Sequence, residues 1–145
     1  TGISRLSFSD INIALDITLN PGVAYRLYKA AFDRAPDQAG LGFWIKALDD
    51  GETALKMASE FNSSPEFISL YGANNSNDDY LNLLYNNVLD RDGDIGGHAF
   101  WLGHLDAGTV TREKLLIDFS ESNENKANVV ELIANGIDYT AYVVG

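Results

Sequence analysis

The residues best suited to chemistry are Asp90-Arg91-Asp92-Gly93-Asp94. Carboxylates at alternate positions of a turn suit Ca²⁺, a hard cation that collects several oxygen ligands. An EF-hand loop needs Gly at its sixth position and Glu at its twelfth. Counted from Asp90, those positions hold Ile95 and Trp101, so the segment is not an EF-hand. A second turn, Asp33-Arg34-Ala35-Pro36-Asp37, keeps only the outer two aspartates. That recurrence favours a structural job. Asp37 and Asp94 are expected to cap the helices that follow. Asp33, Arg34, Asp90 and Arg91 are expected to form the turn itself, each Arg held beside its neighbouring carboxylates. Calcium on Asp90, Asp92 and Asp94 is the alternative, and the one cofactor considered. For Arg34 and Arg91 the alternative is an anion or sugar contact.

Trp44 and Trp101 could form a sugar-stacking platform, but both fall on apolar helix faces and follow Phe43 and Phe100, which favours the core. His98 and His104 are the two histidines, and no second ligand cluster supports zinc. The chain has no HExxH, no GxSxG elbow and no phosphate-binding loop. No catalytic residues are assigned, and an enzyme is not expected.

These residues must be positioned by something, and the chain supplies it twice. From Tyr28 it reads YKAAFDRAPDQAGLGFWIKALDDG, and from Tyr85 it reads YNNVLDRDGDIGGHAFWLGHLDAG. At constant offset Tyr28, Arg34, Asp37, Gly40, Trp44 and Leu48 match Tyr85, Arg91, Asp94, Gly97, Trp101 and Leu105. One inserted residue later, Phe61, Ser64 and Glu66 face Phe119, Ser122 and Glu124. Such self-similarity marks a duplicated unit. In each copy a helix ends at Asp-Arg, a short turn follows, and an Asp opens the next helix. Leu41, Trp44, Ile45 and Leu48 then recur at helical spacing, and Gly51 and Gly108 close that helix. Further helices are expected over 53–62, 65–71, 77–89, 110–121 and 124–135. The ends differ: residues 3–17 alternate like a β-hairpin around Ser9-Asp10, and 137–144 read as a strand expected to join it.

The expected organisation is one mainly α domain, a compact helical bundle with a small β element from the two ends. Its parts are a leader (1–20), unit 1 (22–72), unit 2 (77–135) and a tail (137–145). The 145 residues and 46% hydrophobic content suit one globular domain. A net charge of −11 with ten basic residues argues against nucleic acid. No apolar run is long enough for a membrane span. The absence of cysteine excludes disulfides and thiolate chemistry. Thr1 does not look like a native start, so the chain reads as a piece of something longer.

The Tyr-led helix, Asp-Arg turn, Asp-x-x-Gly, aromatic–Trp pair and Phe-x-x-Ser-x-Glu segment together resemble the domain-of-unknown-function 4214 family. Here they run from Tyr28 to Glu66 and from Tyr85 to Glu124. The leader SRLSFSDINIALDI resembles the segment preceding this domain in calcium-binding RTX (repeats-in-toxin) proteins. The second copy departs from the first where Gly93 replaces Pro36 and His98 replaces Leu41. The resemblance implies a helical repeat module of large secreted or surface-attached bacterial proteins, often exported by type I secretion. The expected function is therefore non-catalytic: assembly, adhesion or presentation of a neighbouring domain. Its partners would be other domains of the same protein or cell-surface components, with a calcium- or glycan-binding module as the alternative. The acidic, apolar-ended tail also resembles an uncleaved type I secretion signal.

Overall fold

A computed structural model of the chain describes residues 4–144. Ile3 and Gly145, which open the expected hairpin and close the expected tail, lie outside the described residues. Eight helices follow one another: α1 (Asn20–Phe32), α2 (Gln38–Asp49), α3 (Ala54–Asn62), α4 (Pro65–Tyr71), α5 (Asn77–Leu89), α6 (Ile95–Ala107), α7 (Arg112–Ser120) and α8 (Asn123–Ile133). Three short strands, β1 (Arg5–Ser7), β2 (Asn12–Ala14) and β3 (Ile137–Tyr139), complete the fold. It is a mainly α bundle with a small antiparallel sheet joining the two ends.

Local chemistry sets the helix starts. Asp37, Thr53, Ser64, Ser76, Asp94, Thr111 and Ser122 each accept an otherwise unpaired N–H of the first turn through their side chains. Only α1 starts without such a cap, and it has Pro21 in its first turn, where a missing N–H costs nothing.

Units 1 and 2 share one core. Helix α3 packs on α7, and α1 packs on α2, α3, α5 and α7. Leu27, Met57, Leu81, Leu84, Leu115 and Leu116 lie at its centre, all but sealed from solvent. Tyr71 reaches across it to donate a hydrogen bond to the Ala30 carbonyl at 3.2 Å.

The sheet has the order β1-β2-β3. Ile13 pairs with Leu6 on one side and with Asp138 on the other. Regular pairing of the tail stops at Tyr139; Thr140 instead donates its N–H to the Gln38 carbonyl at 3.0 Å. Thus residues 140–144, expected as strand, are not part of the sheet; Thr140 and Tyr142 lie against α2 instead. Gly42 makes that crossing possible: a Cβ there would sit 1.7 Å from the Thr140 carbonyl oxygen. Among the described residues no helix is long and apolar enough to cross a membrane.

Candidate functional site: a polar cluster built twice

Each unit places the same four side chains at the corner where its first helix ends. In unit 1 they are Tyr28 on α1, Arg34 in the turn, Asp37 capping α2 and Glu66 in the first turn of α4. Arg34 makes a two-pronged pair with Glu66, Nε to Oε2 at 2.8 Å and Nη2 to Oε1 at 2.9 Å. Its Nη1 donates to the Ala35 carbonyl at 3.0 Å, and its guanidinium lies 5.4 Å from the Tyr28 ring centre. Unit 2 repeats this with Arg91 and Glu124 at the same 2.8 and 2.9 Å, Nη1 on the Asp92 carbonyl, and Tyr85 at 5.4 Å. Two-pronged Arg–carboxylate pairs fix an angle as well as a distance. Each one ties the end of one helix to the start of another three helices later.

This corrects the expectation for the turn. Arg34 and Arg91 are not held mainly by the aspartates beside them. Asp37 and Asp94 come no closer than 3.8 Å to the guanidinium, because each is occupied as a cap. Asp37 accepts from the Gly40 N–H at 2.8 Å, and Asp94 accepts from the Gly97 N–H at 3.0 Å. Asp33 and Asp90 do not pair with Arg either. Both adopt the left-handed conformation, φ 50° and 54°, and end α1 and α5 as C-caps.

The Tyr hydroxyl explains the Gly of the Asp-x-x-Gly motif. Tyr28 donates a short hydrogen bond to Asp37. A Cβ on Gly40 would lie 2.7 Å from that hydroxyl oxygen, and one on Gly97 would lie 2.9 Å from the Tyr85 hydroxyl. Burial, then the hydrogen bond to Asp37 and its charge, push the Tyr28 hydroxyl up to about 12. The Tyr28 hydrogen bond in turn lowers Asp37. Hydrogen bonding to the arginines holds Glu66 and Glu124 below the usual carboxylate range. Asp33 is raised, first by burial and then by Asp90, against the pull of Lys29. Asp33 of unit 1 therefore feels the charge of Asp90 in unit 2.

The sequence reading did not single out Tyr28, Tyr85, Glu66 or Glu124 for this cluster. The signal was present, since all four belong to the duplicated pattern, but their convergence is a long-range event.

The three carboxylates of the calcium alternative do not converge. Asp90 is the C-cap, Asp92 accepts from Asn86 at 3.2 Å, and Asp94 is the N-cap. Among the described residues no group of three or more His, Cys, Asp or Glu side chains is placed to hold a metal ion. The histidines stay apart. His98 Nε2 lies 3.1 Å from Asp78 Oδ1, outside hydrogen-bond geometry, and His104 Nδ1 meets Thr109 Oγ1 at 2.6 Å.

The tryptophans occupy matching helices but differ in depth. Trp44 is 8% exposed and packs edge-on to Phe61. Trp101 is only partly buried against the core, with Phe119 at 6.2 Å. The unit 1 indole is covered more deeply than its unit 2 counterpart.

No curated protein and no solved structure matches the chain. A family model does. The match runs from within α3 to within α8, so it takes in the closing helices of unit 1 and the second polar cluster whole. Residues 58–129 match the model described as Domain of unknown function (DUF4214), and that stretch of the chain belongs to the family.

Proposed function

We propose that this domain is a non-catalytic structural and interaction module of a secreted or surface-attached, RTX-like bacterial protein exported by type I secretion. Its work there is assembly, adhesion or the presentation of a neighbouring domain. The observation that carries the reading is the sheet: β2 pairs with β1 on one side and β3 on the other, so the first and last strands lie two strand-widths apart. A module whose two ends meet in one small sheet, with the tail then crossing α2 alone, keeps its other helices available for contact. The polar cluster supports the non-catalytic part, because its Tyr, Arg, Asp and Glu side chains are consumed in caps and ion pairs. The test is location: the protein should appear in the medium or surface fraction of the producing cell and accumulate inside when the type I exporter is deleted. An interior pool indifferent to that deletion refutes the proposal. A glycan-binding module is the second reading, favoured by the Phe100 ring, 56% exposed, with Trp101 edge-on at 5.0 Å. Retention of a defined sugar on a glycan array, lost in Phe100→Ala, would decide for it.

A further inference from the structure

Duplication makes each unit a control for the other, and the control exposes a difference between α2 and α6. In unit 1 the outer face of α2 is partly covered, with Gly42 buried and Phe43 39% exposed. Thr140 lies against Gly42, and Tyr142 sits edge-on to Phe43 at 5.0 Å. In unit 2 the equivalent face of α6 is bare. Ile95 is 92% exposed and Phe100 56%, and a Cβ on Gly103 would meet nothing within 4 Å. Of α6's residues only Leu105 is buried.

On the other faces of the helix Leu41 becomes His98 and Ala47 becomes His104, but along the outer face polar and charged residues are lost. Gln38 becomes Ile95, Lys46 becomes Gly103, and Asp50 becomes Ala107. The Lys46–Asp50 ion pair of α2 thus has no counterpart. A solvent-facing helix normally gains polar residues at such positions. Here Ile95, Ala99, Phe100 and Gly103 form an uncharged stripe at helical spacing, with two large side chains flanking a notch.

Charge around the stripe selects what covers it. Asp94 caps the helix just ahead of Ile95 and Asp106 stands in its last turn; residues 77–111 as a whole contain six aspartates, one arginine, which is bound to Glu124, and two histidines. The matching stretch 20–53 is nearly balanced, with five acidic and four basic residues. A second copy of this chain would bring the same acidic rim against itself, whereas a basic partner is attracted. Ala99 also excludes the occupant that α2 has. Its Cβ fills the place where Gly42 admits the Thr140 backbone, so an extended segment cannot lie as close. An amphipathic helix needs no such approach, because its side chains reach into the notch.

We propose that the outer face of α6 docks a basic amphipathic helix, its apolar side chains on Ile95, Phe100 and Gly103 and its Lys or Arg facing the surrounding aspartates. This gives a partner chemistry to the interaction role above, yet rests on α6 alone, so a failed export test leaves it standing.

The test uses the full chain and two synthetic peptides of ~18 residues, long enough to form several helical turns. They share a leucine face and carry either Lys or Glu on the other. In amide NMR titrations the Lys peptide should give saturable shifts centred on Ile95, Ala99, Phe100 and Gly103. Its binding should weaken as salt rises from about 50 to about 300 mM. Ile95→Gln with Gly103→Lys, which restores surface residues like those of α2, should bind about tenfold more weakly and melt like the wild type. Four results would overturn the proposal: equal binding of the Glu peptide; shifts scattered over the whole acidic surface; binding untouched by the double variant; or self-association in sedimentation that the double variant abolishes. The last would make a second copy the occupant.

Discussion

Replacing Asp33 or Asp90 with Gly should stabilise the fold. Both residues end their helices in the left-handed conformation, φ 50° and 54°. That conformation costs an ordinary L-residue roughly 1–2 kcal/mol, and Asp less than most. Gly pays no such penalty, but its unfolded chain is freer, which offsets about 0.5–1 kcal/mol. Neither carboxylate accepts a hydrogen bond among the described residues, so only the attraction of Lys29 to Asp33 opposes the exchange. The expected net gain is about 0.5–1 kcal/mol for each site, or about 1–4 °C in melting temperature for a domain of this length. Asp33 adds a pH signature. Burial and Asp90 raise its pKa in the fold, so the penalty for ionising it is absent in acid and grows as pH climbs through the carboxylate range. The gain from Asp33→Gly should therefore be larger at neutral pH than in acid. Urea unfolding followed by tryptophan fluorescence at both pH values measures it. A loss of about 1 kcal/mol or more would refute the reasoning and show that the carboxylate holds something, and a gain confined to EDTA would name that something as a cation.

Trp44→Ala should cost about 3–5 kcal/mol and Trp101→Ala about 1–2 kcal/mol less, since the second indole is only partly buried; equal losses by urea unfolding would contradict the difference in depth. Asp37→Ala and Asp94→Ala should each lose roughly 0.5–2 kcal/mol as lost caps, equally with calcium and with EDTA. A cost of Asp94→Ala seen only in calcium, or heat on calcium titration of the wild type, would make that aspartate a ligand. Glu66 and Glu124 have lowered pKa values through their arginines, so their contribution is present above the ordinary glutamate range and is lost as pH falls through the lowered value. Glu66→Gln with Glu124→Gln should flatten the acid side of the stability profile, and an unchanged profile would show that the pairs contribute nothing.

The duplication, the mainly helical class and the places where helices begin were legible along the chain. These are local properties: Asp37 and Asp94 cap because they stand three residues before Gly40 and Gly97, whose N–H groups need acceptors. Helix 65–71 starts at Pro65 behind Ser64 for the same reason. The joining of the ends was legible too, because Ile137 and Tyr139 alternate as a half-buried strand does; the structure made that pairing antiparallel. Tertiary structure alone decided which carboxylate each arginine takes. Arg34 had Asp33 and Asp37 within reach along the chain, but one entered the left-handed region and the other was spent on a cap, leaving Glu66, 32 residues away, to close the pair. It also decided the fates of Trp44 and Trp101. Periodicity gives the two indoles the same helix face, yet burial depends on what lies over that face. Residues 140 and 142 lie against α2 at Gly42 and Phe43, whereas α6 carries Ala99 in place of Gly42 and, among the described residues, keeps Ile95 and Phe100 exposed.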